Sequence, residues 1–148
     1  MCFSPVGRSL LAAAILLTLS ALCPRRAGQS DAHLHETRVI AQIRAIHTAE
    51  TQYYSQFNRY AASLAGLGPP ASGNANASAA DLIGNDLANG KKQGYVFTIT
   101  GDQGGYVVQV MPEVYNTGGS RTFYSDQTMV VHEHYGPEPA TAQDPESK

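Results

Sequence analysis

The sequence predicts an α+β domain in which a long N-terminal amphipathic helix packs on a four-stranded antiparallel sheet. Two patterns predict this class: apolar residues recur every three or four positions in the first half of the chain, and every second position after residue 94. The 148 residues accommodate one domain, and an apolar content of 43% is enough to form a core. We divide the chain into a leader at 1–30, a domain at 31–135 and a tail at 136–148.

Helical periodicity extends over residues 31–60, and Ser30 or Asp31 is a suitable N-cap. The apolar stripe of this helix consists of Val39, Ile43, Ile46, Tyr53 and Phe57. Such a stripe is typical of a helix that lies on a core with one face.

Glycine, proline and small polar residues then predict a loop at 66–77. A second, short helix is expected to begin at Ser78 and to end at Asn89 and Gly90. Its apolar residues are Leu82, Ile83 and Leu87.

Strict alternation follows in residues 95–99 and again in 106–110, with a glycine-rich turn between them, which predicts a β-hairpin. Arg121–Tyr124 and Met129–His134 are the third and fourth predicted strands. The short connections make the sheet antiparallel. The tail at 136–148 is rich in proline and acidic residues and poor in apolar ones, so it is predicted to be disordered.

The first thirty residues have the composition of an export leader. Their apolar run at 10–22 is 13 residues long, whereas a spanning helix needs about 20, so the run predicts a secretory signal peptide. Cleavage after Ser30 would place a domain beginning at Asp31 in the periplasm or outside the cell. The alternative is an uncleaved leader that tethers the domain to the inner membrane, because the basic pair at 25–26 opposes transfer.

Cys23 is a candidate for lipidation, although lipoprotein signals place a small residue before the cysteine and this chain has Leu22. Cys2 is the other cysteine, so an exported domain has no thiol for a disulfide, a metal site or a nucleophile. Membrane contact is expected only through the leader.

Charge and motifs exclude several functions. Removal of the leader leaves seven basic against twelve acidic residues, so nucleic acid is not an expected partner. The sequence contains no phosphate-binding glycine loop before a helix and no nucleophile motif. We therefore predict a protein that is not an enzyme.

Four short segments occur in an order shared with a known family. They are Ile43–Tyr54, Tyr60–Gly68, Gly94–Thr98 and Arg121–Gln127. Over residues 37–134 the chain resembles type IV pilin-like and type II secretion pseudopilin-like proteins. The resemblance implies a fold of one helix and an antiparallel sheet. It also implies function through protein partners in a secretion or pilus-like assembly, with self-association among the contacts to consider.

The leader departs from that family, whose members begin with a short basic leader, a glycine cleaved by prepilin peptidase, and an apolar helix with glutamate at its fifth position. Here Gly7 is followed by Arg8 and no glutamate comes after it, while Pro24 and Gly28 interrupt a continuous helix. The resemblance therefore implies a soluble or tethered relative of the globular head, which docks on a partner through its helix face or sheet edge.

Glu50 is the most informative polar residue, because helical periodicity places it within the apolar stripe between Ile46 and Tyr53. A buried carboxylate is costly without partners. The structural interpretation is that its oxygens accept hydrogen bonds from loop amides or a tyrosine hydroxyl and hold the helix to the following segment. A catalytic acid would need a second polar group nearby.

Histidine pairs supply the one candidate for a cofactor, a divalent metal. His132 and His134 alternate on a predicted strand and therefore share a face, and His33 with His35 forms a similar pair near the helix start. Two imidazoles are half of a zinc site, and no third ligand follows from the sequence. The alternative function is therefore a free periplasmic or extracellular binding protein that is linked to metal through these pairs.

Overall fold

The computed structural model describes residues 27–148, with side chains from Leu34 onwards. Its elements are helices α1 (Ala27–Phe57), α2 (Leu64–Leu67) and α3 (Asn85–Ala88), and strands β1 (Lys91–Lys92), β2 (Tyr95–Gly101), β3 (Tyr106–Pro112), β4 (Arg121–Asp126) and β5 (Val131–Tyr135). The α+β class, the N-terminal helix and the antiparallel sheet are thereby confirmed. The sheet has five strands rather than the predicted four.

The strands follow the chain order β1-β2-β3-β4-β5, and every neighbouring pair is antiparallel. The additional strand, β1, pairs with β2 through a two-residue turn in which Gln93 and Gly94 both have positive φ, of 57° and 79°. This geometry suits a tight hairpin, because its twist matches that of the strands. A strand of two lysines carries no apolar alternation, so the sequence pattern does not reveal it.

The core lies between α1 and one face of the sheet. Its helical side consists of Val39, Ile43, Ile46, Ala49 and Tyr53, and its strand side of Tyr95, Phe97, Ile99, Tyr106, Val108, Val110 and Phe123. The predicted apolar stripe and both arms of the predicted hairpin therefore face each other. Phe57, at the end of the stripe, is only partly buried against this cluster.

The predicted second helix is shorter than expected. Within the predicted range only Asn85–Ala88 is helical, and residues 80–83 instead form an irregular segment beside α2, with Asp81 at a left-handed φ of 55°. The backbone N–H of Ala80 donates to Gly66, and that of Leu82 donates to Leu67. In a helix capped by Ser78, the N–H of Leu82 would have to donate to the carbonyl of Ser78, but its bond to Leu67 takes that donor.

Residues 136–148, for which composition predicts disorder, are instead ordered along the sheet. The N–H of Glu133 donates to the carbonyl of Pro145, and the N–H of Ser147 donates to Val131, so this C-terminal segment lines the free edge of β5. Ala140 is 1% exposed. Apart from Ala140, the contacts consist of backbone groups and polar side chains, which a criterion based on large apolar residues does not detect.

The β4–β5 turn contains an unusual backbone. Met129 has φ of 65°, a left-handed conformation that costs a non-glycine residue about 1–2 kcal/mol. Asp126 holds the turn, because its Oδ1 accepts bonds from the backbone N–H and the hydroxyl of Thr128.

None of the helices within the described range has the length and apolar character needed to cross a bilayer.

Gly119 provides a test of the packing between β2 and the loop before β4. A Cβ at this position would overlap the ring and hydroxyl of Tyr95, which is fully buried. Gly119→Ala should therefore lower the free energy of unfolding by about 1–3 kcal/mol, measured by urea denaturation. Gly66→Ala is the matched control, because the nearest atom to its new Cβ would be 3.6 Å away. Equal stability of the two variants would contradict this packing.

Candidate functional site

Three polar side chains of α1 are buried against the sheet. Glu36 is 2% exposed, His47 is 4% exposed and Glu50 is 0% exposed. Burying a polar or ionised group is unfavourable unless it finds partners. The partners of these three residues define the most distinctive chemistry of the described structure.

Glu50 lies where the sequence analysis places it, within the apolar stripe. Its Oε2 accepts a hydrogen bond of 2.9 Å from the backbone N–H of Ala61, in the segment that leads to α2. Its Oε1 is buried and makes no hydrogen bond to the residues that the structure describes. Burial raises the pKa of Glu50 to about 7, and the Ala61 N–H opposes this rise. The carboxyl group is therefore about half protonated at neutral pH.

His47, one helical turn before Glu50, makes two side-chain contacts with the sheet. Its Nδ1 lies 2.5 Å from the hydroxyl of Tyr106, and its Nε2 lies 2.8 Å from the Oγ of Ser125. The Ser125 hydroxyl donates to the carbonyl of Val130 at 2.7 Å, so we infer that it accepts from Nε2–H. Nδ1 then accepts from the Tyr106 hydroxyl. With a neutral imidazole, each donor in this series of hydrogen bonds from Tyr106 to Val130 has an acceptor.

The electrostatics agree with that assignment. Burial lowers the pKa of His47, and the negative charge of Asp126 only partly opposes the effect. The sequence analysis missed His47, although a signal was present. It occupies the i+4 position after Ile43 and therefore lies on the buried stripe.

A serine beside a histidine also occurs in nucleophilic catalysis, where the histidine takes the hydroxyl proton. Here Ser125 is fully buried, and its proton is directed at the carbonyl of Val130 rather than at His47. The pair therefore has the geometry of a structural connection between α1 and β4.

Glu36 belongs to a buried ionic cluster at the other end of the helix–sheet interface. The Nη2 of Arg121 lies 2.5 Å from Glu36 Oε2, and its Nη1 lies 2.6 Å from Glu133 Oε2. Ser147, from the C-terminal segment, donates to the same Glu133 oxygen at 2.8 Å. Burial alone would lower the pKa of Arg121, but the Glu36 hydrogen bond and charge outweigh it, so the pKa is raised. Arg121 is therefore permanently charged.

His132 and His134 share the outer face of the sheet, as predicted, and both face the C-terminal segment. The Nδ1 of His132 lies 2.7 Å from the backbone oxygen of Asp144, and that of His134 lies 3.0 Å from the Asp144 Oδ1. The pKa of Asp144 is lowered by hydrogen bonds from Thr141 and from His134. The histidine pair thus holds the C-terminal segment on the sheet.

The second histidine pair does not form a comparable arrangement. Positions 33 and 35 both fall within α1, where residues two apart do not face each other. His35 is half-buried, and the His33 side chain lies outside those that are described. Among the described side chains, no three or more histidine, cysteine, aspartate or glutamate residues converge as metal ligands.

No family model, curated protein or solved structure matches this chain. The family resemblance therefore stays a prediction from the sequence. The signal-peptide, tether and Cys23 predictions concern residues 1–26, which lie outside the described residues, and the proposed cleavage after Ser30 is likewise untested.

Glu50 should make stability depend on pH. The unfolded carboxyl group releases its proton near pH 4.5 and the folded one near pH 7, so the folded state binds more protons between these values. Its contribution to the free energy of unfolding should fall by about 3 kcal/mol as pH rises through this range. Glu50→Gln should remove this fall, measured as the difference between wild type and variant in urea denaturation at each pH.

The difference isolates Glu50, because His47 and the other titrating groups are common to both proteins. Glu146→Gln is the matched control, since it removes the same charge from an exposed residue outside the core. Parallel profiles of wild type and Glu50→Gln would show that the carboxyl group has no raised pKa.

Neutralising Arg121 should lower the free energy of unfolding strongly, because its side chain is largely buried between two carboxylates. Arg121→Met keeps the apolar stem but removes the guanidinium that bridges Glu36 and Glu133, so we expect the free energy of unfolding to fall by about 3–5 kcal/mol at pH 7. Arg38→Met, on the exposed face of α1, is the control. If the two variants lost equal free energy of unfolding, the ionic cluster would not contribute to stability.

Proposed function

We propose that this chain is an exported, non-enzymatic pilin-like or pseudopilin-like module that acts through protein contacts in a type II secretion or type IV pilus-like system. The proposal includes export to the periplasm or the cell exterior. In the alternative, the leader stays uncleaved and tethers the domain to the inner membrane. The observation that carries it is the place of the four resembling segments in the fold.

These segments meet at the contacts between the helix and the rest of the domain. Glu50 of the first segment binds the N–H of Ala61 in the second, and His47 of the first binds Ser125 in the fourth. Tyr95, from the third segment, is fully buried in the core that α1 covers. Segments that look short and weak in sequence thus supply the residues that join a leader-proximal helix to an antiparallel sheet, which is the fold that the resemblance implies.

The absence of catalysis in the proposal rests on how the polar groups of the interface are used. His47, Ser125 and Tyr106 satisfy one another inside the domain, and Arg121 is held between two carboxylates. Each of these groups is committed to an internal contact. This use of the four side chains supports a function that is carried by surfaces rather than by these groups.

The alternative is a free binding protein linked to metal. His132 and His134 supply two imidazoles on one face, but the Nδ1 atoms of both contact Asp144 of the C-terminal segment. Metal coordination through those atoms would have to displace that segment. The present contacts therefore favour the first proposal.

Export is tested by expressing the full chain in a bacterial host, fractionating the cells and determining the mature amino terminus by mass spectrometry. We expect either an amino terminus near Asp31 in the periplasmic or external fraction, or a membrane fraction with an intact leader or a lipid on Cys23. The first result supports export and release. The second supports tethering, and it supports export where protease added to spheroplasts digests the domain. An unprocessed chain in the cytosol would overturn the proposal.

Cross-linking in intact cells of the source organism, followed by mass spectrometry, tests the partner class. Cross-links to components of a secretion or pilus-like assembly are expected. A purified exported chain that retains divalent metal in native mass spectra and forms no such cross-links would favour the binding-protein alternative instead.

A further inference from the structure

Met129 is exposed in a conformation that disfavours its side chain. Its φ of 65° is left-handed, and 54% of the residue is accessible. Three of the other four non-glycine residues with positive φ are asparagine or aspartate, which tolerate this region. Glycine would satisfy the turn without strain. A strained, exposed, apolar residue needs an explanation other than the stability of the turn.

Met129 borders a groove of about 600 Å³ along the C-terminal half of α1. The other residues of the groove are Arg44, His47, Thr48, Thr51 and Gln52. Both threonine hydroxyls donate to backbone carbonyls of their own helix, so their protons are already used within α1. Arg44 is exposed and makes no ion pair with any described residue, and none of the described lining residues is acidic. The groove suits an apolar side chain that is accompanied by a carboxylate.

The chain itself carries such a segment in its β3–β4 loop. Val114 is 59% exposed, and Tyr115 beside it is 37% exposed. Glu113, the preceding residue, contributes a carboxylate whose ion pair with Lys91 is exposed, at 3.3 Å, and is therefore weak. We call Glu113–Tyr115 the acidic knob. It has the apolar side chains and the charge that complement the groove.

We propose that the groove of one copy binds the acidic knob of a second copy, with Val114 against Met129 and Glu113 beside Arg44. This inference rests on the proposed function, which places copies of the chain in one assembly. It adds a partner, the second copy, and the surfaces that make the contact. The groove and the knob are different surfaces, so the contact is heterologous.

The positions of the two surfaces determine what such a contact builds. Strand β4 begins at the loop that carries the knob and ends at the turn that carries Met129. Its six residues separate the two surfaces by about 20 Å, at opposite ends of the sheet. Each copy therefore keeps a free groove at one end and a free knob at the other, which favours a linear series of copies over a closed pair.

The first experiment measures association of the purified full chain by sedimentation velocity at rising concentration. The wild type should form a concentration-dependent series of oligomers. Arg44→Glu and Glu113→Arg should each weaken association by roughly five- to tenfold, and the double charge reversal should restore it. Arg38→Glu and Glu146→Arg are matched controls, because they make the same charge changes on exposed residues outside the groove and the knob.

Met129→Gly separates this role from folding. The variant should keep or raise the midpoint of thermal unfolding, because glycine relieves the left-handed strain, and yet it should lose association. A wild type that stays monomeric, a Met129→Gly chain that associates as the wild type does, or a double reversal that fails to restore association would each overturn the proposal.

Cysteine cross-linking in intact cells tests the orientation of the contact. Full chains carrying both Met129→Cys and Val114→Cys should form a ladder of oligomers on oxidation, beyond any product of a chain with only the native cysteines. Coexpressed single variants should form dimers and nothing longer. Dimers from Met129→Cys alone would indicate contact between like surfaces and overturn the proposal. An exported chain that fails these tests would still satisfy the proposed function through other partners.

Discussion

The docking of α1 depends on satisfying the three polar side chains that its buried face carries. The apolar stripe favours contact with the sheet, but Glu36, His47 and Glu50 would each make burial unfavourable without partners. Each finds a partner of different chemistry, a guanidinium for Glu36, two hydroxyls for His47 and a backbone amide for Glu50. The helix therefore contacts the sheet both as an apolar surface and as a row of specific bonds.

This row fixes the register of the helix, because its partners are spread along the interface. Glu36 meets the start of β4, His47 meets the end of the same strand, and Glu50 meets the segment beyond the helix. A shift of α1 by one turn would keep an apolar face toward the sheet but would separate each of these side chains from the partner named above. Buried polar groups specify a unique arrangement in some proteins, and this distribution fits that role.

The sequence predicts the features that depend on local periodicity and misses those that depend on distant partners. The stripe of α1, the β2–β3 hairpin and the burial of Glu50 all follow from spacing alone. The two-residue strand β1 exists because β2 lies beside it, and the C-terminal segment is ordered by Asp144 and by the edge of β5. The two hydrogen-bond partners of His47 lie 59 and 78 residues further along the chain, so no local pattern identifies them.

The burial of the acidic residues of α1 also determines the charge of its exposed face. From Leu34 onwards the only acidic residues of α1 are Glu36 and Glu50, and both are buried, while Arg38 and Arg44 are exposed. The outer face of the helix is therefore basic, on a domain that is acidic as a whole. Two copies that met through like helix faces would bring cations together, whereas contact with another surface of the second copy brings opposite charges together. Because the bonds that orient the helix on its own sheet bury both carboxylates, they leave a basic outer face. A basic face favours contact with a different, acidic surface of a second copy.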